Sequence, residues 1–125
     1  MSIPDNLRYS KTDEWVKVEG DLATIGITDY AQDQLSDVVF VEVTVNVGET
    51  VKKGTTCATV ESVKAAADVN LPVSGKVTEI NETLPAKPET VNQDPYGQAW
   101  LLKVQLDDPT EAEALLDADA YHKYL

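Results

Sequence analysis

Apolar and polar positions alternate with a period of two along most of this chain, which predicts a mainly β protein. Val39, Val41, Val43 and Val45 occupy every second position and mark the clearest strand. Phe40 on its opposite face predicts that both faces are partly covered. Trp15 to Val18 and Leu22 to Ile27 read as a hairpin. Val16 and Val18 alternate with charged residues in its first arm, Ala23, Ile25 and Ile27 alternate in its second, and Gly20-Asp21 makes the turn. Arg8 to Ser10 predicts a short first strand, Lys76 to Ile80 a later one, and Trp100, Leu102, Val104 and Leu106 the last. Gly48 and Gly54 bracket a turn region that holds Lys52 and Lys53, and Pro72 and Gly75 punctuate the approach to Lys76.

The helical signals are short and local. Thr28 is placed to cap a helix through about Leu35, with Asp29 favourably set in its first turn. Asp108-Pro109 opens another, the aspartate as cap and the proline at the first helical position, with Leu115 and Leu116 as its apolar face. Asp117 caps a final turn whose Tyr121, Tyr124 and Leu125 are expected to pack back on the body. Asn81 to Tyr96 carries Pro85, Pro88 and Pro95 and few periodic apolar residues. It reads as a long surface connection with a helical turn near Glu82 to Leu84. No composition shift marks a boundary, so the expectation is one domain over 1–125, with a β core over about 7–106 and a helical segment over 108–125.

Composition narrows the function classes. The chain has 125 residues, enough to bury a core without metals or disulfides. Ten basic against 22 acidic residues give a net charge of −12, which disfavours nucleic-acid binding and favours a soluble monomer. No run of ~18 apolar residues predicts a membrane span. The N-terminal MSIPDNLRYS has neither a secretory nor a transit-peptide character, so a cytoplasmic protein is expected. Cys57 is the only cysteine and is expected to fill the core as a small hydrophobe. His122, the only histidine, stands near the C-terminus, so no catalytic constellation built on a central histidine is evident. No phosphate-binding or dinucleotide glycine pattern occurs. A metal site and an independent enzyme are therefore not expected.

The candidate chemistry lies in Thr59 to Asp68, TVESVKAAAD. Lys64 sits among Val63 and Ala65 to Ala67, with Glu61 three positions before it and Asp68 four after. An amine with an ordinary pKa of ~10.4 stays protonated until activated, and then forms an amide with a carboxylic acid. Locally the window also resembles a helix, with three alanines and an i,i+3 Glu61–Lys64 pair, and an ordinary surface lysine is the plain alternative. No residue here favours positive φ, so a primed hairpin turn is not signalled, whereas a type I turn centred on Val63 and Lys64 is allowed. The flanking Cys57 to Glu61 and Asp68 to Val73 would then be strands.

The run VESVKAAADV, followed by LPVSGKVTEIN and VNQDPYGQAWLLKV, resembles the H proteins of the glycine cleavage system. RYSKTDEWVKVEG, ATIGITDYAQDQL and DVVFVEV extend the likeness upstream, from about Leu7 to the C-terminus. The resemblance implies a barrel-sandwich hybrid of two antiparallel sheets, as in lipoyl and biotinyl carriers, with short helices. It implies lipoic acid in amide linkage on Lys64, with Glu61 read by the attaching enzyme, a lipoate ligase or a lipoyl/octanoyl transferase. It further implies three partners: a pyridoxal-phosphate glycine decarboxylase, a tetrahydrofolate-dependent aminomethyltransferase and dihydrolipoamide dehydrogenase. Glu14 matches the acidic position that would face the aminomethyl end of the arm in a cleft, the resemblance puts Asp68 near that cleft, and Thr12 is placed to add a hydroxyl acceptor. A carboxylate with hydroxyl partners suits that task, because a cation leaving water needs both charge and hydrogen bonds.

Asp13 stands where these proteins usually carry histidine, Ser36 replaces the usual glycine before Asp37, and the Val43 to Gly48 connection lacks a common proline. These departures leave room for a lipoyl-relay protein serving other complexes, or for a non-carrier interaction protein. A biotin carrier would place Met on both sides of the lysine, and a lipoyl domain of a 2-oxoacid dehydrogenase would place an acid before it. Val63 and Ala65 fit neither.

Overall fold

In the computed structural model, which describes all 125 residues, the chain builds two antiparallel sheets and four short helices. The larger sheet is organised on the expected hairpin, β2 (Glu14–Glu19) and β3 (Leu22–Ile27), turned by Gly20 at φ 67°. Only glycine adopts that backbone without penalty. β1 (Arg8–Tyr9) adds to one side of the hairpin. On the other side follow β9 (Leu102–Leu106), β8 (Gly75–Ile80) and the two-residue β5 (Thr50–Val51) between Gly48 and Gly54. The smaller sheet has the order β4 (Val38–Val43), β6 (Thr56–Ser62), β7 (Ala66–Asn70).

The mainly β expectation stands, and the inner faces of the sheets close on one apolar core that includes Ile25, Val41, Val60, Val77 and Val104. A second cluster, Leu7, Tyr9, Trp15, Ala118 and Tyr121, seals the end where the C-terminal segment folds back. Trp15 reaches this cluster by lying over its cross-strand partner Gly26, where a Cβ would meet the indole at 2.6 Å. The indole N–H donates to the Pro95 carbonyl at 2.9 Å.

The capping signals translate directly. α1 (Asp29–Leu35), α3 (Pro109–Glu113) and α4 (Ala118–Tyr124) begin at Thr28, Asp108 and Asp117, each accepting a backbone N–H of the first turn. The fourth helix is α2 (Thr90–Gln93).

Several packing expectations are corrected. Val39 does not share the face of Val41, because a bulge between Val38 and Phe40 shifts the register. Val38 and Val41 go inward, and Val39 and Phe40 stand 54% and 42% exposed, so the outer face is not covered there. A bulge adds one residue on one strand and rotates those beyond it, which a period-two reading cannot see. Val18 is exposed as well, at the sheet end of β2. The 81–96 connection is anchored rather than superficial: a 3-10 turn at Leu84–Ala86 and α2 bury Leu84 and Val91. The apolar face of α3 is Ala112, and the helix ends before Leu115 and Leu116. Leu116 instead pairs with Tyr9 as a β-bridge. Of the three residues expected to pack back, only Tyr121 is buried, while Tyr124 and Leu125 remain exposed.

Candidate functional site

The 59–68 stretch is a hairpin and not a helix. β6 and β7 pair Thr59 with Asp68, Val60 with Ala67 and Glu61 with Ala66, leaving Val63 and Lys64 at the tip. Both keep negative φ, as a type I turn allows. The second strand begins at Ala66 and ends at Asn70, earlier at both ends than the Asp68 to Val73 expected. Ser62 fastens the turn. Its N–H donates to the Ala65 carbonyl at 2.7 Å, and its hydroxyl oxygen accepts from Ala65 N at 3.1 Å and Lys64 N at 3.3 Å. Serine hydroxyls hold turns in this way, a signal present in the sequence and missed there. The Val63 N–H donates to the Asp37 carbonyl at 3.1 Å, tying the tip to the segment that leads into β4.

Lys64 is therefore presented on a braced tip with its side chain in solvent. It makes no ion pair: the two in the chain are Lys103–Glu79 and Lys123–Asp119. The helical Glu61–Lys64 pair does not form, and Glu61 is exposed on β6. An unpaired, exposed amine on a rigid tip fits an acyl acceptor, and so fits a carboxylic cofactor held in amide linkage.

The second part of the site is Glu14, which opens β2 yet is only 2% exposed. Its Oε1 accepts from the hydroxyls of Ser10, at 2.6 Å, and Thr12. Its Oε2 accepts from the backbone N–H of Asn70 at 3.2 Å, across to the smaller sheet. Its own N–H donates to Ser10 Oγ at 3.0 Å. Sequence reasoning found Thr12 and Glu14 but missed Ser10 and Asn70. No cation lies within ion-pair distance of this buried carboxylate. Burial pushes its pKa up, against the Ser10, Thr12 and Asn70 bonds that pull it down, and the Asp13 charge adds to the rise. A carboxylate offers about four lone-pair positions, of which three are filled here. It is thus a buried carboxylate with an acceptor position open.

A cavity of about 190 Å³ lies beside it, lined by Thr12, Glu14, Ala31, Leu35, Ala67 and Asp68 among others. The structure therefore brings the predicted Thr12, Glu14 and Asp68 around one recess, with α1 as its apolar wall. Lys64 stands outside, in the turn two residues before β7 begins and four before Asp68, at most about 13 Å away at ~3.3 Å per residue. Lysine plus a lipoyl chain adds about a dozen bonds of ~1.5 Å each, enough to fold back that far. A second cavity, of about 370 Å³, shares Thr12 and Glu14 and has Lys11 and Lys53 at its border.

Asp13 also borders this recess, with one carboxylate oxygen held from behind. At φ 73°, its Oδ1 accepts from the Tyr121 hydroxyl at 2.8 Å. Burial raises its pKa and the Tyr121 bond lowers it. Cys57 is fully buried, its thiol pushed up to about 12 by desolvation first and by the Glu14 charge second. It is a core residue, as expected.

The Glu14 shift has a signed consequence for stability. A raised folded pKa means that the folded chain holds this proton to higher pH than the unfolded chain. The term is neutral to folding below the unfolded value of ~4.3 and grows unfavourable as pH rises through the folded value. In urea unfolding across this range, wild type should lose stability relative to Glu14→Gln as pH rises. A difference that stays flat with pH would show that the hydrogen bonds to Glu14 offset its desolvation in full.

The family model described as "Glycine cleavage H-protein" matches residues 7–125. The chain is 52% identical over 121 residues to the glycine cleavage system H protein of Bacteroides thetaiotaomicron, covering 97% of this chain and 95% of that one. It is 52% identical over 117 residues to that of Thermotoga maritima, covering 94% of each. It is 53% identical over 119 residues to the mitochondrial H protein 2 of Arabidopsis thaliana, covering 95% of this chain and 76% of the relative. The crystal structure of an H protein from Mycobacterium marinum superimposes with a TM-score of 0.87 at 37% identity, covering 97% of both chains.

Proposed function

Because the chain belongs to the glycine cleavage H-protein family, a family of lipoyl carriers, we propose that it is the mobile carrier of a glycine-cleavage system, with lipoic acid on Lys64. The observation that carries this reading is the unpaired Lys64 amine on a braced two-residue tip, within arm's reach of a recess built around a buried, cation-free carboxylate. Attached there, the lipoyl group supplies a disulfide that can take up an amine-bearing carbon, pass it on and be reoxidised.

The chain's own residues present and protect. Ser62 holds the tip so that Lys64 meets each partner in one geometry, and exposed Glu61 lies where a lipoate ligase or lipoyl/octanoyl transferase can read it. Glu14 and Thr12 accept the cationic amine at the end of the arm, with Asp68 closing the side nearest the tip. Desolvation strengthens that attraction, and the apolar wall of α1 keeps water from the arm. The partners are the pyridoxal-phosphate glycine decarboxylase, the tetrahydrofolate-dependent aminomethyltransferase and dihydrolipoamide dehydrogenase. No helix of the chain is long and apolar enough to cross a membrane.

Reconstitution tests the reading. Lipoylated chain added to the three partner enzymes should restore glycine decarboxylation, and unmodified chain should not. Equal activity with both forms, or none with competent partners, would overturn it.

A further inference from the structure

Both walls of the recess beside Glu14 meet at one phenol. Tyr121 on α4 is fully buried, its ring stacked on Tyr9 at 4.7 Å between centroids and 8° between planes. Its hydroxyl lies 2.8 Å from Asp13 Oδ1 and 2.8 Å from Thr28 Oγ1. An ionised Asp13 has no proton to give, so Tyr121 donates to it and accepts from the Thr28 hydroxyl. The Thr28 oxygen in turn accepts the Ala31 N–H at 3.2 Å as the cap of α1. The hydrogen bonds thus run one way, from Thr28 through Tyr121 to Asp13.

The two ends of that chain belong to opposite sides of the recess. Thr28 starts α1, whose Ala31 and Leu35 form the apolar wall, and Asp13 lies between Thr12 and Glu14. Asp13 also occupies the left-handed region, unusual for a residue other than glycine. Backbone bonds Asp13 N to Ser10 O at 3.2 Å and Thr28 N to Asp13 O at 3.0 Å share in holding it there. A left-handed residue at that point folds Ser10 and Thr12 back so that both hydroxyls converge on Glu14 Oε1.

We propose that Tyr121 is a positioning residue for the amine site: its hydroxyl, bonded to Asp13 and Thr28 together, clamps the Thr12–Glu14 segment against the start of α1 and so fixes the gap in which the cationic end of the arm docks. The proposal rests on the docking role given to Glu14 above. It gives the C-terminal helix a part in protecting the arm, and it gives Asp13 a task that needs a short acceptor tolerant of positive φ.

Tyr121→Phe tests it, because the ring keeps its stacking and burial and loses only the oxygen. Two properties are read. One is the lifetime of the amine-loaded lipoyl form with no partner enzyme present. The other is the titration of the Glu14 carboxyl, followed by carbon-13 NMR in the unmodified chain. The lifetime should fall about two- to tenfold, because only part of what the lost Asp13 and Thr28 bonds contribute reaches the docking gap. Glu14 should titrate at higher pH as the Thr12 donor loosens. Asp13→Gly, which keeps the backbone easy and removes the acceptor, should act alike. The double variant should be no worse than either single one, since both remove the same bond. Asp13→Asn, which keeps an acceptor oxygen, should restore most of what Asp13→Gly loses.

An unmoved Glu14 titration in Tyr121→Phe, with lowered thermal stability alone, would make Tyr121 merely structural and overturn the proposal. An unchanged lifetime in Tyr121→Phe while Glu14→Gln shortens it would overturn the clamp and leave the docking role standing. An unchanged lifetime in Glu14→Gln itself would remove the docking role and the clamp with it.

Discussion

Lys64→Arg is expected to abolish both modification and carrier activity while leaving the fold intact. The tip is held by main-chain and Ser62 contacts, none of which uses the Lys64 side chain. The side chain is exposed and unpaired, so arginine is accommodated without strain or a lost partner. What changes is chemistry. A lysine amine becomes a nucleophile once deprotonated, whereas a guanidinium stays protonated above pH 12 and forms no stable amide under the same activation. Expression with lipoate available, followed by intact mass and peptide mapping, should find a lipoyl amide on Lys64 in wild type and none in the variant. Glycine decarboxylation with the three partner enzymes should drop to the level without carrier. The other lysines act as internal controls: a lipoyl group on any of them in the variant would sink the assignment.

Glu14→Gln is the second large effect, and it has opposite signs in two assays. The amide can turn so that its oxygen accepts from Asn70 N and its NH2 donates to the Ser10 and Thr12 oxygens, whose hydroxyls rotate to suit. Shape and hydrogen bonding survive, and only the buried charge goes. At neutral pH the empty chain should be as stable as wild type or more so, since a desolvated anion has been removed. The loaded form should suffer. A hydrogen bond to a charged group contributes ~1.5–3 kcal/mol net, so docking of the cationic arm should weaken roughly ten- to a hundredfold if one such bond dominates. The decay of the loaded form without partners measures this, with lipoylation as the control, because Lys64 lies on the tip and outside the recess. Asp13 borders the same recess with only its Oδ1 engaged by Tyr121, so Asp13→Asn combined with Glu14→Gln measures what its other oxygen contributes. A lifetime equal to wild type would remove Glu14 from the site.

What could be read from the chain divides by the range of the physics. Caps and turns are local, so Thr28, Asp108, Asp117 and Gly20 announced their elements nearly to the residue. The Lys64 hairpin was ambiguous because its alanines favour a helix in isolation, while pairing with β6 holds Ala66 to Asn70 as a strand. Tertiary contact overrides a propensity of a few tenths of a kcal/mol per residue. The bulge at Val38 to Phe40 left no mark in the periodicity, so the inward valines were misassigned. Within the site, resemblance pointed to Lys64, Glu14, Thr12 and Asp68, but nothing in pattern or composition showed that Glu14 would be buried. That depends on Asn70, 56 residues away, closing over its carboxylate. Ser10 and Ser62 act by hydroxyl contacts that alternation does not register.

The bond from Asn70 to Glu14 crosses from one sheet to the other, so the carboxylate proposed to receive the amine is also a rung between the two layers. Whatever neutralises Glu14 changes the strength of that rung. A docked ammonium fills the open acceptor position and shields the bond from water, whereas an empty recess leaves it open to solvent. The Asn70 amide hydrogen therefore reports on the arm: its rate of exchange with deuterated solvent should slow when the arm is seated and quicken when it swings out. Occupancy of the recess is thus written into the backbone, where it can be followed without a label on the cofactor and while the partner enzymes are at work.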